Sequence, residues 1–485
     1  MALPSAKTDG DDENPAPGLS IFAPELERQP NTFARPRRRV LMLYNHHWTH
    51  VKTIAHSLES FYRFSRYDVY FATSSGACQF DLDYFDAVVI HYSVRTCFSG
   101  HLSGAYDAAI QAYRGIKAIF LQDEYDMTDA VRDAIERLGI NIVFTCVPES
   151  SVARVYSPGR FGNVRFVNVL TGYVPFDIHD VKLSKPMRER PIVIGYRGRR
   201  LGWWYGDLGQ EKLIIGQRMK EICSERNIPA DIAWEEADRI YGDDWFRFLA
   251  NCKATLGTES GANVFDHDGT LSLEIKQALL ANPDLTYREV HDTFLRDREG
   301  EVDMNQISPK IFEAIACRTA LVLFEGQYSK VLEPDKHFIP LKKDFSNIDD
   351  VLARVSDDAC LEALTARAYR DIVESEHYTF ETYVDVFDRA MEEAWKDRPM
   401  RRPGPWLPLP PADAYPPFRS AYEYVHSEHF LRRVWAALPG WLQSLLGPVV
   451  NRQTWHDLWL RCPTFVRNLI DPVFSRLRRM IKREQ

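Results

Sequence analysis

The 485-residue sequence lacks the markers of several large protein classes. Its eight cysteines (78, 97, 146, 223, 252, 317, 360 and 462) include no Cys-x-x-Cys pair and have no histidine partner at zinc spacing. This excludes a disulfide-stapled or zinc-ribbon framework and points to a reduced compartment. Nowhere do about 18 apolar residues run unbroken, and residues 1–18 are polar, acidic and proline-containing, so neither a spanning helix nor a secretory leader is expected. The expected location is the cytoplasm. A net charge of -8 argues against nucleic acid as the main partner. No Gly-x-Gly-x-x-Gly follows the first strand-like run, so the backbone approach that an ordinary dinucleotide enzyme gives to a pyrophosphate is missing there.

What is present is an ordinary globular composition, 45% hydrophobic and 26% charged, over a length that suits two or three domains. Compact apolar runs at 40–44, 69–72, 87–91, 118–121, 142–146 and 165–169 read as strands. Helical patterns at 51–64, 102–113 and 128–138 alternate with them, as a parallel sheet demands. A second set of strands is expected at 192–196, 228–234, 253–257, 320–324 and 338–341, with helices at 212–223, 245–251, 347–355, 360–373 and 380–395. The expected organisation is a mobile arm (1–38), a first Rossmann-like domain (39–175), a proline-interrupted basic linker (176–191) and a second Rossmann-like domain (192–396). A proline-rich spacer (397–418) and a basic tail (419–485) follow.

Residues 303–326, Asp-Met-Asn-Gln-Ile-Ser-Pro-Lys-Ile-Phe-Glu-Ala-Ile-Ala-Cys-Arg-Thr-Ala-Leu-Val-Leu-Phe-Glu-Gly, are the centre around which the chain is organised. Ser308 before Pro309 predicts a helix start, because the serine hydroxyl can accept from an orphan N–H while proline sits where no N–H is needed. Ile311, Phe312, Ile315 and Ala316 set its apolar face and leave Glu313 one turn in. The free N–H groups and positive dipole end suit a diphosphate, and Glu313 suits the two hydroxyls of a ribose. The dipole alone also favours an acidic residue there.

Polar residues gather at the carboxyl ends of the first-domain strands, where open α/β sheets place their ligands. His46, His47 and His50 follow the first strand, His91 ends the third run, and Asp123-Glu124-Tyr125-Asp126 follows the fourth. Neutral-range imidazoles beside carboxylates suit hydroxyl-rich acceptors or proton transfer, whereas the plain reading is hydrogen-bonded loop residues and a helix cap. In the second domain, Arg197-Gly-Arg-Arg-Leu-Gly-Trp-Trp-Tyr-Gly-Asp-Leu-Gly-Gln-Glu-Lys212 places guanidinium forks and an ammonium between glycines. Such a loop can neutralise the charge on a leaving diphosphate, or it can be a solvated basic face.

The stretch 308–319 resembles the donor-site signature of GT-B glycosyltransferases of the retaining, family-4-like kind, closest to the divergent bacterial surface-polysaccharide and spore-coat branch. The resemblance covers about residues 38–396 and is strongest from 192 to 345. It implies an α/β fold of two Rossmann-like domains facing across a cleft, a last helix crossing back to the first domain, and glycosyl transfer from a nucleotide-sugar donor with retention. In that family two glutamates stand eight positions apart. Glu313 matches the second, Asn305 stands at the first, and Arg318 stands where glycine is usual. The resemblance further implies donor contacts from Arg199 or Arg200, Lys212 and Glu313; Ser308 and Lys310 are expected beside them, and Glu259 either reaches the sugar in place of the missing glutamate or is an ordinary turn residue. It places His91 toward the donor, with His46, His47, Asp123 and Glu124 on the acceptor side. No cofactor is expected beyond the nucleotide-sugar co-substrate, and no metal; Asp266-His267-Asp268 reads as a polar turn. That turn opens a helical insertion (266–302) absent from the commoner family pattern, and the sequence assigns it no role.

The tail carries eleven Lys or Arg against five Asp or Glu, with Trp435, Trp441, Trp455 and Trp459 among broken apolar runs. This suits an anionic membrane surface on its inner face, or packing on the body. The function expected is sugar transfer to a glycan or lipid-linked acceptor, in surface polysaccharide synthesis. A GT-B nucleotide-sugar epimerase and a non-catalytic scaffold of a polysaccharide-assembly complex are the alternatives.

Overall fold

The computed structural model describes residues 37–49, 51–78, 80–176, 185–396 and 398–400. The arm up to residue 36, His50, most of the proline-rich spacer and the whole basic tail lie outside the described residues.

Two parallel sheets carry the fold. The first comprises β1 (Arg39–Tyr44), β2 (Asp68–Thr73), β3 (Ala87–Ile90), β4 (Ile116–Phe120), β5 (Ile142–Thr145) and β6 (Arg165–Asn168) in the order β2-β1-β3-β4-β5-β6. β1, β3, β4 and β5 are buried at every position, the signature of strands covered by helices on both faces. The second sheet comprises β7 (Ile192–Arg197), β8 (Ala230–Ala233), β9 (Cys252–Gly257), β10 (Ala320–Phe324) and β11 (Ile339–Leu341), ordered β11-β10-β9-β7-β8. The expected strands are present within a few residues. In both sheets the order reverses beside the first strand, between β1 and β3 and between β7 and β9. Crevices for ligands open at such switch points, outside the strands' carboxyl ends.

The last helix, Phe380–Trp395, follows the second domain in sequence yet packs on the first, as the resemblance implies. Its Phe387 meets Phe61 at 5.1 Å and Phe144 at 5.7 Å between ring centroids, Tyr383 meets Phe120 at 5.5 Å, and Asp388 accepts from Ser65 Oγ and the Arg66 N–H. Phe387 is fully buried. Phe387→Ala is therefore expected to cost about 3–5 kcal/mol of stability, read as a lower denaturant midpoint.

One linker residue read as basic surface is structural. Arg190 is buried and donates to the carbonyls of Cys252 (2.9 Å) and Cys317 (3.3 Å) and to Thr319 Oγ1. It ties β9 to the carboxyl end of the helix Pro309–Ala316, where the dipole favours a cation.

The segment expected to be a loop as far as Lys212 is shorter than predicted. After a 3-10 turn, Trp203–Tyr205, the helix Gly206–Glu225 begins six residues before the expected start. The turn exists because both tryptophans have somewhere to go: Trp203 and Trp204 pack against Val264, just before the insertion, and Leu271, Ile275, Val290 and Leu295 within it. The insertion also clasps the first domain. Asp126 pairs with Asp266 in a parallel bridge, the Asp129 N–H donates to the His267 carbonyl (2.8 Å), and Arg154 reaches the Glu301 carbonyl. Its role is thus to join the two domains along one flank of the cleft.

Candidate active site

The helix Pro309–Ala316 lies at the cleft, with its first turn against the end of the first domain. Thr171 Oγ1 donates to the Ile307 carbonyl, and Gly172 passes so close that a Cβ there would lie 2.7 Å from Pro309 Cβ. Ser308 holds the N-cap position, but its hydroxyl makes no capping bond, contrary to the expected start. One turn in, Glu313 is buried and spans the domains: Oε2 accepts from Trp245 Nε1 at 2.7 Å and Oε1 from Thr53 Oγ1 at 3.4 Å. Burial pushes its pKa up, opposed by the Trp245 hydrogen bond and the Lys310 charge.

Around it stand three cations. Lys310 donates to the Arg197 carbonyl at 2.8 Å and lies 5.3 Å from the Trp245 ring. Lys212, on the inward side of its helix, donates to Ser260 Oγ at 2.9 Å, and Ser260 sits at the carboxyl end of β9. Arg199 is exposed in the loop after β7. Enclosure by both cleft walls lowers the pKa of Lys212 to about 8; Asp123 opposes this and Arg199 adds to it. Lys310 is likewise lowered to about 8 by enclosure, with Glu313 opposing and Lys212, Arg239 and Arg199 adding. Cations gathered beside a helix start make a site for a polyanion, since like charges kept this close repel until an anion neutralises them.

The remaining expected donor contacts are used otherwise. Arg200 turns away to an exposed pair with Glu235 at 3.0 Å. Glu259 does not reach the cleft as a free carboxylate: it is buried, its Oε1 accepts from the Gln327 and Tyr328 N–H groups, and its Oε2 accepts from Asn305 Nδ2 at 2.7 Å. Asn305 in turn accepts from Asn263. A neutral amide here donates to Glu259, where a second carboxylate would be repelled, so the Asn305–Glu259 pair braces the loop before the central helix. Arg318 adopts the left-handed backbone (φ +52°) that glycine favours after a helix, and its guanidinium stacks 3.8 Å from the Tyr369 ring centroid.

On the first domain the expected histidines and carboxylates separate. His91 is wholly buried. Its Nδ1 accepts from the Ser93 N–H, which leaves the proton on Nε2, 3.1 Å from Ser57 Oγ; this tautomer is assigned from the hydrogen bonds. Burial lowers its pKa to about 3, so it is a neutral brace between Ser57 and Ser93. Glu124 is also buried and accepts from Tyr156 OH, Thr145 Oγ1 and the Cys146 N–H, inside its own domain. Each is thus held by partners of the first domain, away from the expected donor-side role of His91 and the expected acceptor-side role of Glu124. Asp123 stays at the rim, exposed, with φ +53° and the Tyr125 hydroxyl at 2.7 Å. His46 and His47 stack at 3.9 Å in a 3-10 turn capped by Asn45, and burial followed by the His47 charge lowers the His46 pKa. Asp266 caps the helix Thr270–Ala281 through three backbone N–H groups, so the Asp-His-Asp turn is used structurally.

Several cleft residues escaped the sequence. Thr53 and Trp245 flank Glu313, and Arg95 pairs with Asp126 at 2.7 Å while Tyr205 donates to the same carboxylate from the other domain. Arg95 lies four residues past His91, so its place after a strand end was the available signal.

No family model matches the chain and no curated protein matches it. Among solved structures it is similar to an α-glucosyltransferase in complex with UDP-glucose and DNA containing an abasic site (11% identity, 73% of this chain and 99% of that one, TM-score 0.44). It is also similar to sucrose-phosphate synthase from Thermosynechococcus elongatus (10%, 74% and 100%, 0.41). An Anabaena protein in complex with UDP and glucose gives 11%, 74% and 100%, with a TM-score of 0.41. At these values the likenesses carry no functional inference; the side chains of the cleft do.

Proposed function

We propose that the chain transfers a sugar from a nucleotide-sugar donor to a glycan or lipid-linked acceptor. The observation that carries this is the gathering of Lys212, Lys310 and Arg199 around the start of the helix Pro309–Ala316, with Glu313 one turn in. In this reading the cations and the helix N–H groups hold the diphosphate and stabilise its charge as the glycosidic bond breaks. Glu313 accepts the ribose hydroxyls, giving up its long bond to Thr53. The acceptor enters from the side of Asp123, His46 and His47. Retention and a place in surface polysaccharide synthesis are supported by the resemblance of residues 308–319 alone.

Purified protein offered UDP-, GDP- and CDP-sugars is expected to bind one class and to release the nucleoside diphosphate when an acceptor glycan is added. Absence of both binding and release overturns the proposal. Turnover without acceptor would indicate an epimerase, and binding without turnover a scaffold.

The lowered lysines give a pH signature. Each is cationic below about pH 8 and loses its charge as pH rises through that value. A bound diphosphate favours the charged form, so affinity for UDP should weaken by about tenfold per lysine between pH 7 and 9. Calorimetry across that range tests it, and an affinity that is flat to pH 9 removes the lysines from the anion site.

No helix among the described residues is long and apolar enough to cross a membrane. We propose surface attachment instead, through residues 419–485. Basic residues near an anionic surface are worth about 1 kcal/mol each, so full-length protein should co-sediment with anionic liposomes at low salt and be released at high salt. A chain ending at 418 should stay in solution; equal partitioning of both forms would mean that the tail does not bind lipid.

A further inference from the structure

Away from the cations, three side chains converge on the first turn of the helix Gly206–Glu225. Asp207 lies in that turn, His291 opens the π-helical turn His291–Leu295 of the insertion, and Glu299 follows it. One ligand atom from each lies within 4.8 Å of the others. Asp207 and Glu299 lie side by side, the Asp207 N–H donating to the Glu299 carboxylate. Gly206, at φ +69°, allows this contact, since a Cβ there would lie 2.2 Å from Glu299 Oε2.

An orphaned nitrogen points to what belongs between them. His291 Nε2 is buried, has no hydrogen-bond partner among the described residues, and faces Glu299 Oε2 at 3.8 Å. Its Nδ1 lies 3.7 Å from the Asp292 carboxylate, also beyond hydrogen-bond reach. The buried Nε2 thus faces the Glu299 carboxylate across a gap too long for a hydrogen bond, which leaves room for a cation between the two. The surroundings are those of an oriented ligand set: Tyr287 donates to Asp207 Oδ1 at 2.8 Å, and the Asp207 N–H donates to Glu299 at 3.2 Å.

We propose that Asp207, His291 and Glu299 bind one divalent cation of the zinc class, with water in the fourth position. One imidazole and two carboxylates suit zinc, whereas magnesium prefers oxygen ligands and retained waters. Ligand atoms in a tetrahedral zinc site stand about 3.3 Å apart, so atoms now within 4.8 Å of one another would draw together by up to about 1.5 Å. The ion would fasten the insertion to the helix that carries Lys212. This site stands apart from the proposed sugar chemistry and is tested without it.

The test uses full-length protein stripped with chelator and titrated with ZnCl2. One equivalent is expected to bind and, at a hundredfold excess over its Kd, to raise the melting temperature by about 5 °C; MgCl2 should leave it unchanged. His291→Gln and Glu299→Gln should abolish the uptake while melting like the metal-free parent. If either fails to fold, Asp207→Asn, at an exposed position, carries the comparison. Cobalt in place of zinc should give visible d–d bands without a thiolate charge-transfer band. No uptake would leave His291 as a neighbour of its carboxylates with no ion between them and overturn the proposal. Uptake unchanged in the variants, or a thiolate band, would assign the metal to cysteines and overturn it equally.

Discussion

Replacing Lys212 by alanine is expected to lower kcat/KM by about 10²–10³ while leaving the fold intact. The ammonium is held toward the cleft by Ser260, and its pKa is lowered first by burial, with Arg199 adding and Asp123 opposing. Charge developing on a leaving diphosphate is neutralised most effectively by a donor fixed before the reaction begins; losing one such donor in a water-poor site costs about 10²–10³ in rate. Lys212→Arg should restore only part of the activity, because the guanidinium is larger and planar where a point charge fits. The check is steady-state kinetics on the donor identified by binding, with the melting temperature measured alongside. A variant that turns over normally would put the diphosphate elsewhere.

Glu313→Ala is expected to weaken nucleotide binding by roughly ten- to a hundredfold, since hydrogen bonds to a charged group are worth about 1.5–3 kcal/mol. A dipole contact in a first helical turn is worth only about 0.3–1 kcal/mol. The structure adds a complication that the sequence did not contain: the carboxylate also holds Trp245 and reaches Thr53 across the cleft. Thr53→Val separates the two roles, because it removes the interdomain bond and spares the carboxylate. It should leave binding of the isolated nucleoside diphosphate within about threefold of the parent, since at 3.4 Å the Thr53 contact is long and weak, worth about 0.5 kcal/mol. A Glu313→Ala protein that binds UDP normally but melts lower would make the residue a structural tie.

The fold was legible because its evidence is local. Runs such as Val40 to Tyr44 and Ala320 to Phe324 are apolar at every position, and only a strand covered on both faces uses such a run. The site was legible in part. Arg199 and Glu313 lie near a strand end and a helix start that the pattern already located, whereas Lys212 lies inside a helix whose start the pattern put six residues late. His91, Glu124 and Glu259 occupy equivalent positions with equivalent chemistry, yet each turns inward, because its partners (Ser57, Tyr156, and the N–H groups of residues 327 and 328) come from distant parts of the chain. Nothing in the neighbouring sequence reports such partners. The same holds for Trp203 and Trp204, whose surroundings lie 60 to 90 residues further on.

The return of the helix Phe380–Trp395 to the first sheet has a consequence for the newly made chain. Phe61, Phe120 and Phe144 emerge from the ribosome long before the residues that cover them, Tyr383 and Phe387. At about 5–20 residues per second, the intervening stretch takes roughly 10–50 s to synthesise. For that interval the first domain presents an aromatic face with no cover, so a nascent chain stalled near residue 175 should recruit chaperones, and one released there should aggregate.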